Sequence, residues 1–283
     1  MKDTSSIPQV SETPDPGNAV SIEQSRNIIL ARVCDTQCPW ADLRARQLSQ
    51  QINGKVINLH SNAKLTQREG RPDGPFYEDI RDIDIFLGSR PVVDVAIALV
   101  EKDSDLIVVD WRAPSIGERL FGRRLKRLLM RSRVPVLVVK TPSERPYDKV
   151  LIATKLDAGS GRTVQVVAEL FDRITLTLIN SFLPAFQGFL SAASTREYIR
   201  DERNRSLSSL LSELPKDLDH RIDGKVVEGE FATAIFSEIR LAAGNIVVIG
   251  NRRKNIITRA LLGSKAVDVV DTAPADVLVV PVR

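Results

Sequence analysis

The stretch VVIGNRRKNIITRALLGS, residues 247–264, runs from an apolar strand into Gly250, a cationic cluster and then Gly263 and Ser264. Glycines between a strand and a helix let backbone N–H groups approach a phosphate, and a helix starting there adds its positive end. Arg252, Arg253 and Lys254 stand where a tight phosphate loop ordinarily offers bare backbone. Such cations either hold an anion by charge-assisted hydrogen bonds or decorate a solvated loop.

A second basic stretch is ERLFGRRLKRLLMRSR, residues 118–133. Arg119, Arg123, Arg124, Lys126, Arg127 and Arg131 alternate with Leu120, Leu125, Leu128 and Leu129 at helical spacing, so one face packs while the other is cationic. That face suits nucleic acid, anionic lipid or an acidic protein, or is simply solvated, and no interleaved aromatics or nucleic-acid motif favour the first. Cys34 and Cys38 flank the residues DTQ, a spacing that places two thiols within one helical turn. With no second ligand pair they lack a zinc set, and the spacing is not that of a redox pair, so structural thiols are expected. His60 and His220 stand apart from other ionisable partners, and no Ser-His-Asp or paired-carboxylate pattern occurs. No catalytic residue and no metal ligand is therefore assigned.

These residues need elements to hold them. With 283 residues, 43% hydrophobic and 27% charged, the chain is long enough for two modest cores. The 40 Lys and Arg nearly balance 36 Asp and Glu, so net charge alone does not argue for nucleic acid. No apolar run approaches the roughly 20 residues of a membrane helix, and the N-terminus lacks a signal-peptide core. Two cysteines also fit a reducing compartment, and a cytoplasmic protein without membrane insertion is expected. Residues 1–25, rich in Ser, Pro, Asp and Glu, are expected to form a disordered tail.

After the tail, apolar runs alternate with amphipathic segments, the pattern of an α/β fold with a parallel sheet covered on both faces. Strands are predicted at residues 27–33, 55–61, 83–88, 105–110 and 135–140, then at 148–154, 174–180, 221–229, 245–250 and 276–282. Helices are predicted between the first two strands, over RPVVDVAIALVEK and GERLFGRRLKRLLMRS, and in the second half over GSGRTVQVVAELF, STREYIRDERNRSLSSLLSEL and EGEFATAIFSEIRLAAGN. The pair DLIVVD and PVLVVK is echoed by NIVVIG and DVLVVPV, so the chain reads as two copies of one domain, 26–140 and 148–283, joined at 141–147.

The second half, with VLIAT, LDAGSGRTVQVVAELF, LTLINSF, VVEGE, NIVVIGN and LLGSKAVDVVDTAPADVLVV, resembles the universal stress protein family from Tyr147 to Arg283. The first half resembles it more weakly, through DSDLIVVD and RVPVLVV. The resemblance implies two five-stranded parallel sheets, each ordered 3-2-1-4-5, that pair through their last strands as an internal pseudo-dimer. It also directs attention to the crevice at the carboxyl ends of strands one and four, where chain direction reverses. Many members bind ATP there through an aspartate ending strand one and a G-x2-G-x9-G-[ST] motif after strand four. By this correspondence Gly250, Gly263 and Ser264 keep motif positions, Arg253 replaces the second glycine, and Lys155 replaces the aspartate.

The ligand-binding candidates are therefore Ala153, Thr154, Lys155, Gly250, Asn251, Arg252, Arg253, Gly263 and Ser264, with ATP or another adenine nucleotide as ligand. The lost aspartate argues against Mg. In the first half the crevice residues are Val33, Cys34, Asp110 and Trp111, with Ala113, Gly122 and Arg123 in the motif positions. A carboxylate at Asp110 would repel phosphate, so this crevice is expected to support the pair. The functional expectation is a non-catalytic stress-response or regulatory protein whose second half binds a nucleotide or another phosphate-bearing ligand. Its alternative is a scaffold with degenerate crevices that recruits an acidic regulatory partner through basic surfaces, and further homo-oligomerisation stays open.

Overall fold

The computed structural model describes residues 26–31, 39–60, 83–86, 105–110, 119–142, 144–171, 174–183, 192–218, 221–252 and 269–282. The expected tail at 1–25, the helix expected over RPVVDVAIALVEK, Cys34, Cys38 and His220 lie outside them. In chain order the elements are β1 (Arg26–Ala31), α1 (Pro39–Gln51), β2 (Gly54–His60), β3 (Ile83–Phe86), β4 (Leu106–Asp110), α2 (Arg119–Arg131) and β5 (Val136–Val139). Then follow β6 (Lys149–Ala153), α3 (Ser160–Leu170), β7 (Thr175–Phe182), α4 (Ala192–Ser212), β8 (Ile222–Glu228), α5 (Phe231–Leu241), β9 (Ile246–Arg252) and β10 (Asp276–Val282).

All ten strands lie in a single sheet ordered β3-β2-β1-β4-β5-β10-β9-β6-β7-β8. Every pairing is parallel except the central one, where β10 meets β5 antiparallel with Leu278 opposite Leu137. The fold is thus α/β with a mostly parallel sheet. The reversal at the centre puts the carboxyl ends of β9 and β6 on the side where β5 begins. Pro281, which lacks an N–H, is tolerated near the middle of the sheet because β5 pairs only with Val277–Val279.

Runs such as LIVVD in β4 and VLVV in β5 are buried at every position, as strands covered on both faces must be. Successive residues feed opposite cores. One core joins Val136, Val138, Val277 and Val279 to Leu125, Leu128 and Leu129 of α2 and Ile235 and Ile239 of α5. The other joins Leu137, Val139, Leu278 and Val280 to α1, α3 and Leu207 of α4. Both cores cross the central junction without interruption. In α3 the helical spacing of Val164, Val167, Ala168 and Phe171 buries all four, each large side chain contributing about 1.5–3 kcal/mol. Among the described residues no helix is long and apolar enough to cross a membrane.

Residues 140–147, between β5 and β6, are fastened by a buried polar cluster centred on Asp276 at the start of β10. Its Oδ1 accepts from Lys140 N (2.7 Å), Thr141 N (2.9 Å) and Thr141 Oγ1 (2.8 Å), and its Oδ2 accepts from the Tyr147 hydroxyl (2.6 Å). Arg44, from α1, places Nε 3.4 Å from Asp276 Oδ2 and its guanidinium 4.1 Å from the Tyr147 ring centroid. It also donates to the Arg145 carbonyl, while Gln47 donates to that of Glu144 at 2.8 Å. Arg44 and Asp276 are both 0% exposed. Burial pushes the Tyr147 phenol well above its ordinary pKa, with Asp276 adding to the shift.

Candidate functional site

The register Ala153 opposite Ile249 ends β6 beside the middle of β9, which runs three residues further to Arg252. Ala153 thus pairs one residue before Gly250, and Thr154 and Lys155 follow it out of the strand. Arg253, Gly263 and Ser264 lie outside the described residues. Gly250 does not end its strand as the sequence reading has it. Pairing with β10 continues through Val280 and Gly250, Pro281 and Asn251, and Val282 and Arg252, because β10 supplies partners for two more residues.

Most of the polar groups at this end hold the protein together. Thr154 donates its N–H to the Ile179 carbonyl (2.9 Å), and its hydroxyl oxygen accepts from Leu156 N (3.0 Å). Its carbonyl accepts from Asn180 Nδ2 at 2.9 Å. The turn that follows puts Leu156 at φ 56°, a left-handed conformation unusual for a branched side chain. Asp157 then closes the turn ahead of α3: its Oδ1 accepts from Gly159 N (3.1 Å) and Ser160 Oγ (3.2 Å), and its own N–H donates to Ser160 Oγ (3.1 Å). This carboxylate caps no helical N–H but stands beside the positive end of the helix, so a phosphate would meet repulsion there.

Gly250 is required by packing. A Cβ on it would lie 2.8 Å from Thr163 Oγ1, which itself donates to the Gly159 carbonyl at 3.0 Å. The glycine therefore lets α3 approach β9. Asn251 reaches across to the other half of the chain, where Nδ2 donates to the Leu129 carbonyl at 3.1 Å, capping the last turn of α2.

Lys155 is exposed at the exit of β6. Asn180, 2% exposed in β7, has no hydrogen-bond partner for Oδ1, an acceptor that a ligand donor or a water would satisfy. The Lys155 ammonium attracts anions and repels metal cations. Among the described residues no group of three or more His, Cys, Asp or Glu side chains is arranged to hold a metal ion.

In the first half, Asp110 ends β4 opposite Val139 and is 2% exposed, while Val33, Cys34, Trp111 and Ala113 lie outside the described residues. Gly122 and Arg123 fall on α2, and Lys126, Arg127 and Arg131 on the same helix are exposed. His60 ends β2. Sequence reasoning missed Asp157 and Asn180 at the site. The Asp-x-Gly spacing before α3 is a readable turn signal for the first, in which the side chain accepts from the N–H two residues on, whereas a lone asparagine in an apolar strand gives none.

Residues 146–281 match the model of the Universal stress protein family. No curated protein matches the chain. Among solved structures, a functionally unknown protein from Pseudomonas aeruginosa PAO1 is similar with a TM-score of 0.61 and 18% identity, over 92% of this chain and 94% of that one. A universal stress protein from Archaeoglobus fulgidus DSM 4304 gives 0.58 and 15%, over 90% and 96% respectively. At such identities the likeness is one of fold.

Proposed function

Taking residues 146–281 as a universal stress protein domain, we propose that the chain is a non-catalytic regulatory protein of the stress response. Its crevice at the ends of β6 and β9 takes a phosphate-bearing ligand, an adenine nucleotide foremost, without Mg. The observation that carries the proposal is the exposed Lys155 just beyond the end of β6, beside β9, whose sequence continues Arg252, Arg253, Lys254. Cations on both strands offer charge-assisted hydrogen bonds to phosphate oxygens and remove the need for a metal to neutralise them. The Asp157 carboxylate beside the start of α3 repels phosphates toward β9, and the unpartnered Asn180 Oδ1 leaves an acceptor for the nucleoside side. The non-catalytic reading rests on the absence of a nucleophile–base pair or carboxylate pair from the sequence.

The same proposal makes residues 26–140 a divergent second copy that supports the pair inside the cytoplasm. Its support is the strand order, which reads β5-β4-β1-β2-β3 and β10-β9-β6-β7-β8 outward from the centre. A second reading, a scaffold with no small ligand, is favoured by the internal commitments of Thr154, Gly250 and Asn251.

Mass spectrometry of small molecules released from the purified full chain separates the two. The ligand reading expects a retained nucleotide, or saturable binding of ATP, ADP or AMP that Gly263→Val abolishes by blocking backbone approach. Neither retention nor saturation at millimolar nucleotide would leave the scaffold reading standing, and unchanged affinity in the Gly263→Val variant would place the ligand elsewhere.

A further inference from the structure

We propose that β8 pairs antiparallel with β8 of a second copy of this chain, about a two-fold axis at Gly224. Among the described residues β8 is bonded on one side only, to β7, and so ends the sheet. Such an edge is a template for another strand, and proteins blunt it with shortness, a bulge, proline or charge. β8 is seven residues long, keeps register with β7 from Ile222 to Glu228 without a bulge, and contains no proline. Apart from Glu228 at its end, its charges are Asp223 and Lys225, of opposite sign on either side of Gly224.

The backbone on the open side follows from the bonds on the closed one. The Arg221 carbonyl accepts from Leu176 N (2.8 Å) and Gly229 N donates to the Phe182 carbonyl (2.9 Å), so the odd-numbered residues turn their N–H and C=O groups toward β7. Those of Ile222, Gly224 and Val226 then point away from the sheet. A second β8 centred on Gly224 meets all three: Gly224 exchanges both bonds with its copy, and Ile222 exchanges both with Val226 of the second copy. The same register sets Asp223 opposite Lys225 of the second copy, at positions between bonded pairs where side chains come closest. Centring on Asp223 or Lys225 would oppose like charges, centring on Val226 would set Lys225 against Val227, and centring on Ile222 would run each strand past the start of the other. Asp223 is exposed and, among the described residues, makes no ion pair within the chain. Lys225 holds the Glu238 carboxylate at 2.8 and 2.9 Å, with its side chain still 52% exposed and a third N–H donor to give. The edge is also open. Gly224 is exposed although a Cβ there would lie 2.8 Å from Leu207 of α4, so solvent reaches its backbone from the side. Leu207 itself is buried, so α4 covers the face of the sheet without overhanging its border. Ile222 and Val226, half-buried at the rim of the core that holds Leu207, cover each other across the junction.

The test is sedimentation velocity of the purified full chain against concentration and salt. A reversible dimer that weakens with salt is expected. Asp223→Lys sets like charges opposite each other and should raise the dissociation constant at least about tenfold, as should Lys225→Asp. An equimolar mixture of those two chains should recover dimers, because unlike charges face each other again. Since Lys225→Asp also releases Glu238, Lys225→Asp/Glu238→Lys takes its place if that chain fails to fold by circular dichroism. Val226→Pro, which removes an N–H that β7 does not use, should weaken the dimer at least about tenfold and leave the circular dichroism of the chain unchanged. The mass of one chain at every concentration up to about 1 mM, a dimer indifferent to Asp223→Lys or to Val226→Pro, or a mixture that stays monomeric would each overturn the proposal.

Discussion

Replacing Asp276 with asparagine should destabilise the protein far more than replacing Arg44 with methionine, although both side chains are fully buried and face each other. Asp276→Asn keeps the shape but removes the carboxylate beside the Arg44 guanidinium and one of two acceptor oxygens that together serve four donors. A buried charge left without its partner costs about 3–5 kcal/mol. Arg44→Met leaves a different remainder. Asp276 loses the ion pair but keeps all four donors and the Lys140 ammonium nearby, and the other losses are the cation–π contact with Tyr147 and the bonds to the Arg145 carbonyl and Gln47 Oε1. That sum is about 1–2 kcal/mol. Urea denaturation of the full chain followed by circular dichroism measures both from the midpoint at unchanged slope. A cost under about 1 kcal/mol for Asp276→Asn, or a larger one for Arg44→Met, would refute the assignment of Asp276 as the organising charge of the 140–147 segment.

Three further outcomes follow from the same geometry. Because the Tyr147 phenol is held above its ordinary pKa, the folded state keeps a proton that the unfolded chain loses, so stability should fall as pH rises past about 10. Tyr147→Phe should remove that part of the alkaline loss, whereas identical profiles for the two chains would contradict the buried neutral phenol; the difference also isolates it from Lys140, whose lowered pKa acts in the opposite sense. Gly250→Ala should cost about 1–3 kcal/mol by pressing on Thr163, and Thr163→Ala in the same chain should restore most of it, while simple additivity in chemical denaturation would show that the close approach is not the cause. Lys155→Asp should weaken metal-free nucleotide binding at least about tenfold and make the residue binding Mg-dependent, and calorimetry showing unchanged affinity would remove Lys155 from the site.

The sheet was legible because its strands are short valine-rich and isoleucine-rich runs, and a strand buried on both faces admits little else. The helical spacing of Val164, Val167, Ala168 and Phe171 likewise found its core. The end of β9 was misplaced because a glycine before a cationic cluster suggests a loop, and only the length of β10 shows that pairing continues to Arg252. The role of Gly250 was hidden for a related reason. A glycine that admits a helix and one that admits a phosphate have the same letter, and Thr163 lies 87 residues away in sequence. Arg44 is the hardest case. Within PWADLRARQLSQQ it has the appearance of a solvated cation, and its buried role depends on residues 140–147 crossing its helix and on Asp276 near the far end of the chain.

The claim that the crevice is an anion site adapted to do without a metal is tested most directly by calorimetric titration of ADP into the purified chain, first in EDTA and then with Mg. Saturable binding in EDTA, no tighter when Mg is added, is the predicted result. Binding that appears only with Mg, or none in either buffer, would contradict it.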